Sequence, residues 1–349
     1  MTESTDGTYG FAVVGCGAIS DTHLEAIRSL PNARLVAVCD AVPERAQAKA
    51  AQYGVEACTD YAALLRREDI QVVNIVVPSG LHGDLGIRAA QAGKHVITTK
   101  PIDVTLEKID ALIAACADNG VKLAAVHQLR SYPVFRRAWE AVREGRLGRL
   151  YWGTAVVPWF RSHAYYGRSW QGTRALDGGG ALMNQSVHYV DLLLWMMGNV
   201  AEVCGFADNL AHSIEVEDIA SAAVKFTSGA HGIVQGTTLT YEGHPARLEI
   251  HGSQGNIVFM GEDLSLWQVE GEETFSDPQA GRQKGGASEP TGGMPGLAVE
   301  AHADQIGDLL ASIAENREPR MNGQEARRSV ELILAIYQSS RERKVVSLG

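Results

Sequence analysis

The sequence has no apolar run near the roughly 18 residues that a membrane-spanning helix needs. Its first eight residues, Met1 to Thr8, are polar and acidic, without the apolar segment of a secretory leader. It also lacks a basic block. Lys and Arg number 31 against 41 Asp and Glu, a formal net charge of −10, which argues against nucleic acid or an anionic membrane as partner, since both demand clustered cations. Cysteine is sparse: Cys16, Cys39, Cys58, Cys116 and Cys204 are scattered without a CxxC pair, which speaks against a disulfide framework or a zinc cluster and suits a reducing cytoplasm. What is present, 45% hydrophobic and 21% charged residues, is the composition of an ordinary globular protein. A chain of 349 residues exceeds the roughly 250 to 300 at which one core stops growing, so two domains are expected.

Between residues 10 and 126, apolar runs rich in β-branched residues alternate with helical stretches, the pattern of βαβ units around a parallel sheet. Strands are predicted at Phe11 to Val14, Leu35 to Cys39, Val72 to Val77, His95 to Thr98 and Lys122 to Val126. Helices fall near Ser20 to Ser29, Glu44 to Tyr53, Leu81 to Ala92 and Leu106 to Asn119, with Gly54, Gly93 and Gly120 at their C-terminal caps. After Val126 the pattern changes. A helix near Pro133 to Glu144 leads into long alternating segments between Leu150 and Val269, interrupted by a helix over Gly180 to Met197 with the apolar stripe Met183, Val187, Val190, Leu194 and Met197. Ser276 to Gly296, rich in Gly, Pro and Ser, reads as a surface loop or lid. Two helices, around Glu300 to Asn316 and Gln324 to Ser340, end the chain. The expected fold is α/β: a doubly wound domain over residues 1–127, then an α+β domain over 128–349 built on a large, open, mostly antiparallel sheet with helices on one face. The terminal helices are placed to pack back on the first domain.

The junction of the first strand and helix carries Gly15-Cys16-Gly17-Ala18-Ile19-Ser20. In a dinucleotide-binding fold the first glycine makes the tight turn, and the second lets a pyrophosphate approach the backbone at the positive helix N-terminus. Ser20 replaces the third glycine and is small enough to keep the helix close to the strand. Asp40 ends the second strand, where a carboxylate would accept the adenosine ribose hydroxyls and repel a 2′-phosphate, favouring NAD. Arg45, five residues on, leaves NADP open.

At this point the sequence resembles the Gfo/Idh/MocA oxidoreductases over essentially its whole length. Four segments carry the resemblance: the glycine-rich turn, Val77-Pro78-Ser79-Gly80-Leu81-His82, Thr99-Lys100-Pro101, and Gly178-Gly179-Gly180-Ala181-Leu182-Met183-Asn184-Gln185-Ser186-Val187-His188. The resemblance implies a Rossmann domain followed by a sheet whose outer face makes dimers or tetramers. It also implies hydride transfer between a nicotinamide and a secondary carbinol or ketone of a sugar, sugar derivative or cyclitol. Two positions depart from the family. Thr99 stands where a glutamate is usual, and Asn184 where an aspartate often precedes the histidine by four residues. The asparagine form, with Gln128, Arg130 and Trp170-Gln171-Gly172-Thr173, is similar to members that oxidise C3 of sugars.

Hydride transfer from an alcohol needs a group to take the hydroxyl proton. Lys100 follows the fourth predicted strand, at the carboxyl edge where ligands bind in such sheets, and the resemblance puts it at the nicotinamide ribose, the substrate and the reacting oxygen. His188, with an ordinary pKa near about 6.5, is the second proton carrier, and Asn184, four residues earlier on the same helix, orients the substrate beside it. The resemblance adds Pro78, Ser79, His82, Gln128 and Trp170 as cofactor contacts, and Arg130, Arg161, Tyr165 and Tyr166 as substrate contacts. No metal is expected, because no second histidine or acid stands at ligand spacing to His188. Two other readings stay open: a glycosidase that keeps NAD bound while oxidising C3 transiently, and a non-catalytic NAD(P)-binding regulator.

Overall fold

The computed structural model describes residues 7–167, 170–281 and 295–349. They form two units. The first holds a six-stranded parallel sheet made of β1 (Tyr9–Val14), β2 (Ala33–Cys39), β3 (Glu56–Cys58), β4 (Val72–Ile75), β5 (His95–Thr99) and β6 (Leu123–Val126), in the order β3-β2-β1-β4-β5-β6. Such strands lie between layers of helix, which explains their near-continuous apolar runs: every residue of β4 and β6 is buried. The crossovers are the helices Ser20–Ser29, Pro43–Tyr53, Tyr61–Leu65, His82–Gln91 and Leu106–Asp118. Gly54, Gly93 and Gly120 adopt left-handed backbone at the predicted caps. Strand order reverses between β1 and β4, and the carboxyl ends of those two strands flank the crevice in which such sheets take ligands.

Two short elements carried no signal in the sequence. The strand β3 is three residues long and largely exposed, so it shows no apolar run. The helix Tyr61–Leu65 is a single turn started by Asp60, whose carboxylate accepts the backbone N–H groups of Ala62 (2.8 Å) and Ala63 (3.1 Å).

The first unit does not end at residue 127. It runs to Ser131 and takes in the helix Pro295–Ala314 and the chain as far as Arg327. Ile306, Leu309 and Leu310, all fully buried, share one apolar core with Phe11, Leu24, Ile27 and Val38, each burial being worth about 1.5–3 kcal/mol over exposure.

The second unit spans Tyr132 onward and the chain from Arg328. Its sheet holds β7 (Leu150–Pro158), β8 (Val200–Asp208), β9 (Ile219–Phe226), β10 (His231–Thr237), β11 (Arg247–Gly252), β12 (Gly255–Met260), β13 (Asp263–Val269), β14 (Phe275–Ser276) and β15 (Val346–Ser347). The order is β14-β13-β12-β11-β7-β10-β9-β8-β15, antiparallel throughout apart from the parallel pair β7 and β10. Alternation sets its two faces: in β9, Ala220, Ala222, Val224 and Phe226 are buried while the residues between them are not. The helix Val187–Met197 lies across β7, where Gly153 admits it; a Cβ there would stand 2.7 Å from Met197 Cγ.

The helix expected over Gly180 to Met197 is instead two pieces, a π-helical turn Ala181–Ser186 and the α-helix Val187–Met197. Ser186 Oγ donates to the carbonyl of Ala181 at 2.6 Å, filling the widened turn. The expected loop or lid at residues 276–296 lies for the most part outside the described residues. Among the described residues, no helix is long and apolar enough to cross a membrane, and no group of three or more His, Cys, Asp or Glu could hold a metal ion.

Candidate active site

In the first unit, Gly15 leaves β1 with φ +103°, a conformation that side chains avoid, and a Cβ would stand 2.7 Å from the Val76 carbonyl oxygen at the end of β4. Gly17, Ala18 and Ile19 then run exposed into the helix Ser20–Ser29. A Cβ on Gly17 would meet nothing within 4 Å, so no internal packing asks for glycine there. A cofactor backbone laid over the turn does. Ser20 is fully buried, and its hydroxyl donates to Gly17 O at 2.6 Å, so the replaced third glycine still packs closely. The crest of exposed backbone at a helix N-terminus fits the pyrophosphate of a dinucleotide.

Asp40, at the end of β2, accepts the N–H of Cys16 at 2.8 Å on one carboxylate oxygen and that of Val42 at 2.9 Å on the other. It therefore braces the glycine-rich turn, and each oxygen keeps acceptor capacity for a ribose hydroxyl. Arg45 is exposed in the first turn of the helix Pro43–Tyr53.

After β4, Pro78 is half-buried and Ser79 buried in a short turn that leads to His82. The His82 ring is fully buried, with Nδ1 2.8 Å from Pro101 O and Nε2 2.9 Å from Val77 O. The direct cofactor contact expected of His82 thus gives way to a strut between two turns, one of them bearing Lys100. Burial lowers its pKa, against the carbonyl contacts that raise it. Asp103, also fully buried, adds a second tie by accepting Gly83 N–H at 2.8 Å. Between these anchors Lys100 is half-buried at the end of β5, joined to Pro101 by a cis bond. Gln128 is half-buried in the turn after β6. Arg130, expected at substrate, is buried instead and paired with Glu325 at 3.2 Å.

In the second unit, only Asn184 and His188 of residues 181–194 keep partial exposure; every other residue of that stretch is buried, the predicted apolar stripe included. The two stand four residues apart, His188 in the first turn of the α-helix and Asn184 in the widened turn. Glu217 holds that turn in place. Its buried carboxylate accepts Gly180 N–H (3.0 Å), Leu182 N–H (2.8 Å) and the Tyr337 hydroxyl (2.7 Å), and burial raises its pKa.

Behind Asn184 runs a chain of side-chain bonds that sequence reading did not anticipate. Arg161 donates to Gln185 Oε1 at 2.7 Å, and Gln185 Nε2 donates to Asn184 Oδ1 at 2.9 Å and to the Tyr165 hydroxyl at 3.0 Å. Asn184 Nδ2 donates to Asp177 Oδ1, and Asp177 Oδ2 accepts Gly172 N–H at 2.7 Å. Arg161, expected at substrate, is 2% exposed and committed to this chain. Tyr166 is buried, its hydroxyl bonded to Thr238 Oγ1 at 3.1 Å, so of that group Tyr165 alone reaches the surface. Trp170 is half-buried at the head of the Gly172 turn. Asp177 and Gln185 were missed because nothing in their spacing shows that both bond Asn184; an acid directly before three glycines was the only trace.

Comparison with known proteins accords with this geometry. Residues 9–127 match the oxidoreductase family with an NAD-binding Rossmann fold, and residues 135–258 match the GFO/IDH/MocA C-terminal domain. The chain is 28% identical to D-apiose dehydrogenase of Paraburkholderia graminis, over 99% of its own length and 92% of that protein's. It is 26% identical to inositol 2-dehydrogenase of Rhizobium meliloti, over 98% and 100%. The crystal structure of the WlbA dehydrogenase from Bordetella pertussis, in complex with NADH and UDP-GlcNAcA, superimposes with a TM-score of 0.86 at 32% identity, covering 98% of this chain and 99% of that one. Matched in both halves and alike from end to end, this chain belongs to the Gfo/Idh/MocA family of NAD-binding oxidoreductases, and its relatives include sugar and cyclitol dehydrogenases.

Proposed function

We propose that this chain oxidises a secondary hydroxyl of a pyranose sugar or sugar acid at C3, or reduces the corresponding ketone, with NAD. The observation that carries the reading is the pair Asn184 and His188, the two side chains that an otherwise buried segment turns to the surface. A segment that hides its apolar residues yet exposes an amide and an imidazole side by side serves a polar ligand. Bound NAD supplies the hydride acceptor. Gly15, Gly17, Ala18 and Ile19 offer backbone to its pyrophosphate, Asp40 takes ribose hydroxyls, and Pro78, Ser79, Gln128 and Trp170 contribute further contacts.

Lys100 and His188 divide the proton work, each able to take or return a hydroxyl proton, while Asn184 and Tyr165 orient the ring. The 32% identity to a dehydrogenase crystallised with UDP-GlcNAcA supports a sugar acid, free or nucleotide-linked. The uncovered face of the large sheet, which carries Phe206 at 70% exposure, pairs with a second copy in this reading, giving a dimer or tetramer. The five cysteines, all of them thiols, suit the cytoplasm.

The test follows absorbance at 340 nm with free sugars, sugar acids, cyclitols and nucleotide sugars, NAD and NADP in parallel. Accumulation of NADH with a C3 hydroxy sugar and its loss with the 3-deoxy analogue is expected. Product formed without net NADH indicates the redox-neutral glycosidase instead. No turnover or product across the panel leaves a regulator.

A further inference from the structure

We propose that Asp177 is a positioning residue that sets which way round the Asn184 amide is offered to substrate; the proposal rests on the reading that Asn184 touches substrate. Arg161 has donors only, so Gln185 must turn its oxygen to the guanidinium and its nitrogen to Asn184 Oδ1 and Tyr165. At the other end an ionised carboxylate accepts only, and Asp177 takes Asn184 Nδ2 on one oxygen and Gly172 N–H on the other. The two amides are therefore aligned head to tail between a cation and an anion. Flipping Asn184 would set nitrogen against nitrogen at Gln185 and oxygen against oxygen at Asp177. Asp177, Gln185 and Arg161 are 1%, 5% and 2% exposed, where an unmade hydrogen bond costs most. The chain ends at the surface on Asn184 and Tyr165, both half-buried, so the buried charges impose one donor and acceptor order on the part that meets a polyol.

This order makes a distinction that a mere brace would not. In Asp177→Asn, the new side chain can accept at one atom only, so it must lose either Gly172 N–H or Asn184 Nδ2. In the double variant Asp177→Asn with Asn184→Asp the bonds that join 172, 177, 184 and 185 are met again: the amide at 177 accepts Gly172 N–H and donates to the carboxylate at 184, which also accepts Gln185 Nε2. Position 184 then has no N–H.

The experiment measures four proteins, the parent, D177N, N184A and the D177N/N184D pair, for melting temperature, NADH affinity by fluorescence, and kcat and KM on myo-inositol, D-apiose and UDP-GlcNAcA. The side-chain amide resonances of Asn184, assigned by their loss in N184A, are followed by 15N correlation spectroscopy. Expected for D177N are unchanged NADH affinity, a kcat at least about 10-fold lower with a smaller change in KM, and movement of the Asn184 amide toward its solvent-exposed position. The exchanged pair should recover the melting temperature but not kcat. Parent kcat and an unmoved Asn184 amide in D177N would overturn the proposal, as would recovery of kcat together with stability in the pair. Parent activity in N184A would instead remove Asn184 from the mechanism, a separate failure of the reading above, while the NMR result still decides whether Asp177 orients the amide.

Discussion

At the level of single residues, the glycine-rich turn separates two uses of glycine that its motif lumps together. Gly15 is demanded by the fold: its φ of +103° and the Val76 carbonyl beside it leave no room for a Cβ. Gly15→Ala should cost roughly 1–3 kcal/mol of stability, read by urea denaturation. Gly17 meets open space, so Gly17→Ala should melt like the parent and yet lose NADH affinity by 10-fold or more, read by fluorescence titration. Equal loss of stability in both would refute the distinction. Asp40 has a comparable double character. Because it holds Cys16 and Val42 N–H groups, Asp40→Ala should weaken NAD binding and also lower the melting temperature. The gain in NADP preference expected from removing the carboxylate is thereby offset by a loosened turn; a variant with parent stability and full NADP use would contradict this. Lys100→Met and His188→Asn should each reduce kcat by about 100-fold to 10,000-fold while NADH affinity stays within a few-fold. Parent turnover in either removes that residue from the proton path.

At the level of elements, the triglycine and the π-helical turn form one device. A Cβ on Gly180 would collide with the Glu217 carbonyl, and the Glu217 carboxylate gathers two backbone N–H groups and the Tyr337 hydroxyl in a buried setting. Removing it strands two buried backbone donors, at about 1–3 kcal/mol each, and leaves the half-buried Tyr337 hydroxyl without that acceptor. Glu217→Ala should therefore lower the unfolding free energy by roughly 3 kcal/mol or more, and chemical denaturation that finds less than 1 kcal/mol would show the turn to be held otherwise. The α-helical pattern of Met183, Val187, Val190, Leu194 and Met197 was legible because burial alone writes it, and all five are buried. The widening of Ala181–Ser186 was not, since it arises from contacts with Glu217 and β10 that are remote in sequence. The short edge strand β3 was illegible for the opposite reason: too exposed to carry a pattern.

For the whole molecule, charge and burial combine in a pH dependence. His23, His95 and His302 all lie in the NAD-binding unit, and burial lowers the pKa of each, with His95 brought down to about 4 by burial and then by Lys122. Their neutral forms belong to the folded state, whereas in the unfolded chain they protonate near about 6.5. Between those limits the unfolded state binds more protons, so stability falls as pH drops from about 6.5 toward 4. The melting temperature without cofactor should be clearly lower at pH 5 than at pH 7. A flat or rising profile would mean that these rings are hydrated in solution. By itself the sequence determined the parallel α/β unit, the glycine-rich turn and the family, because burial periodicity and glycine placement are local in the chain. Only the tertiary structure decided that His82, Arg130 and Arg161 are buried and bonded to other protein groups, that the first unit closes with the helix Pro295–Ala314 and the chain to Arg327, and that Asp177 bonds Asn184. Each of those depends on a bond or a core contact between residues whose approach only the folded chain sets, and no local pattern encodes such a meeting.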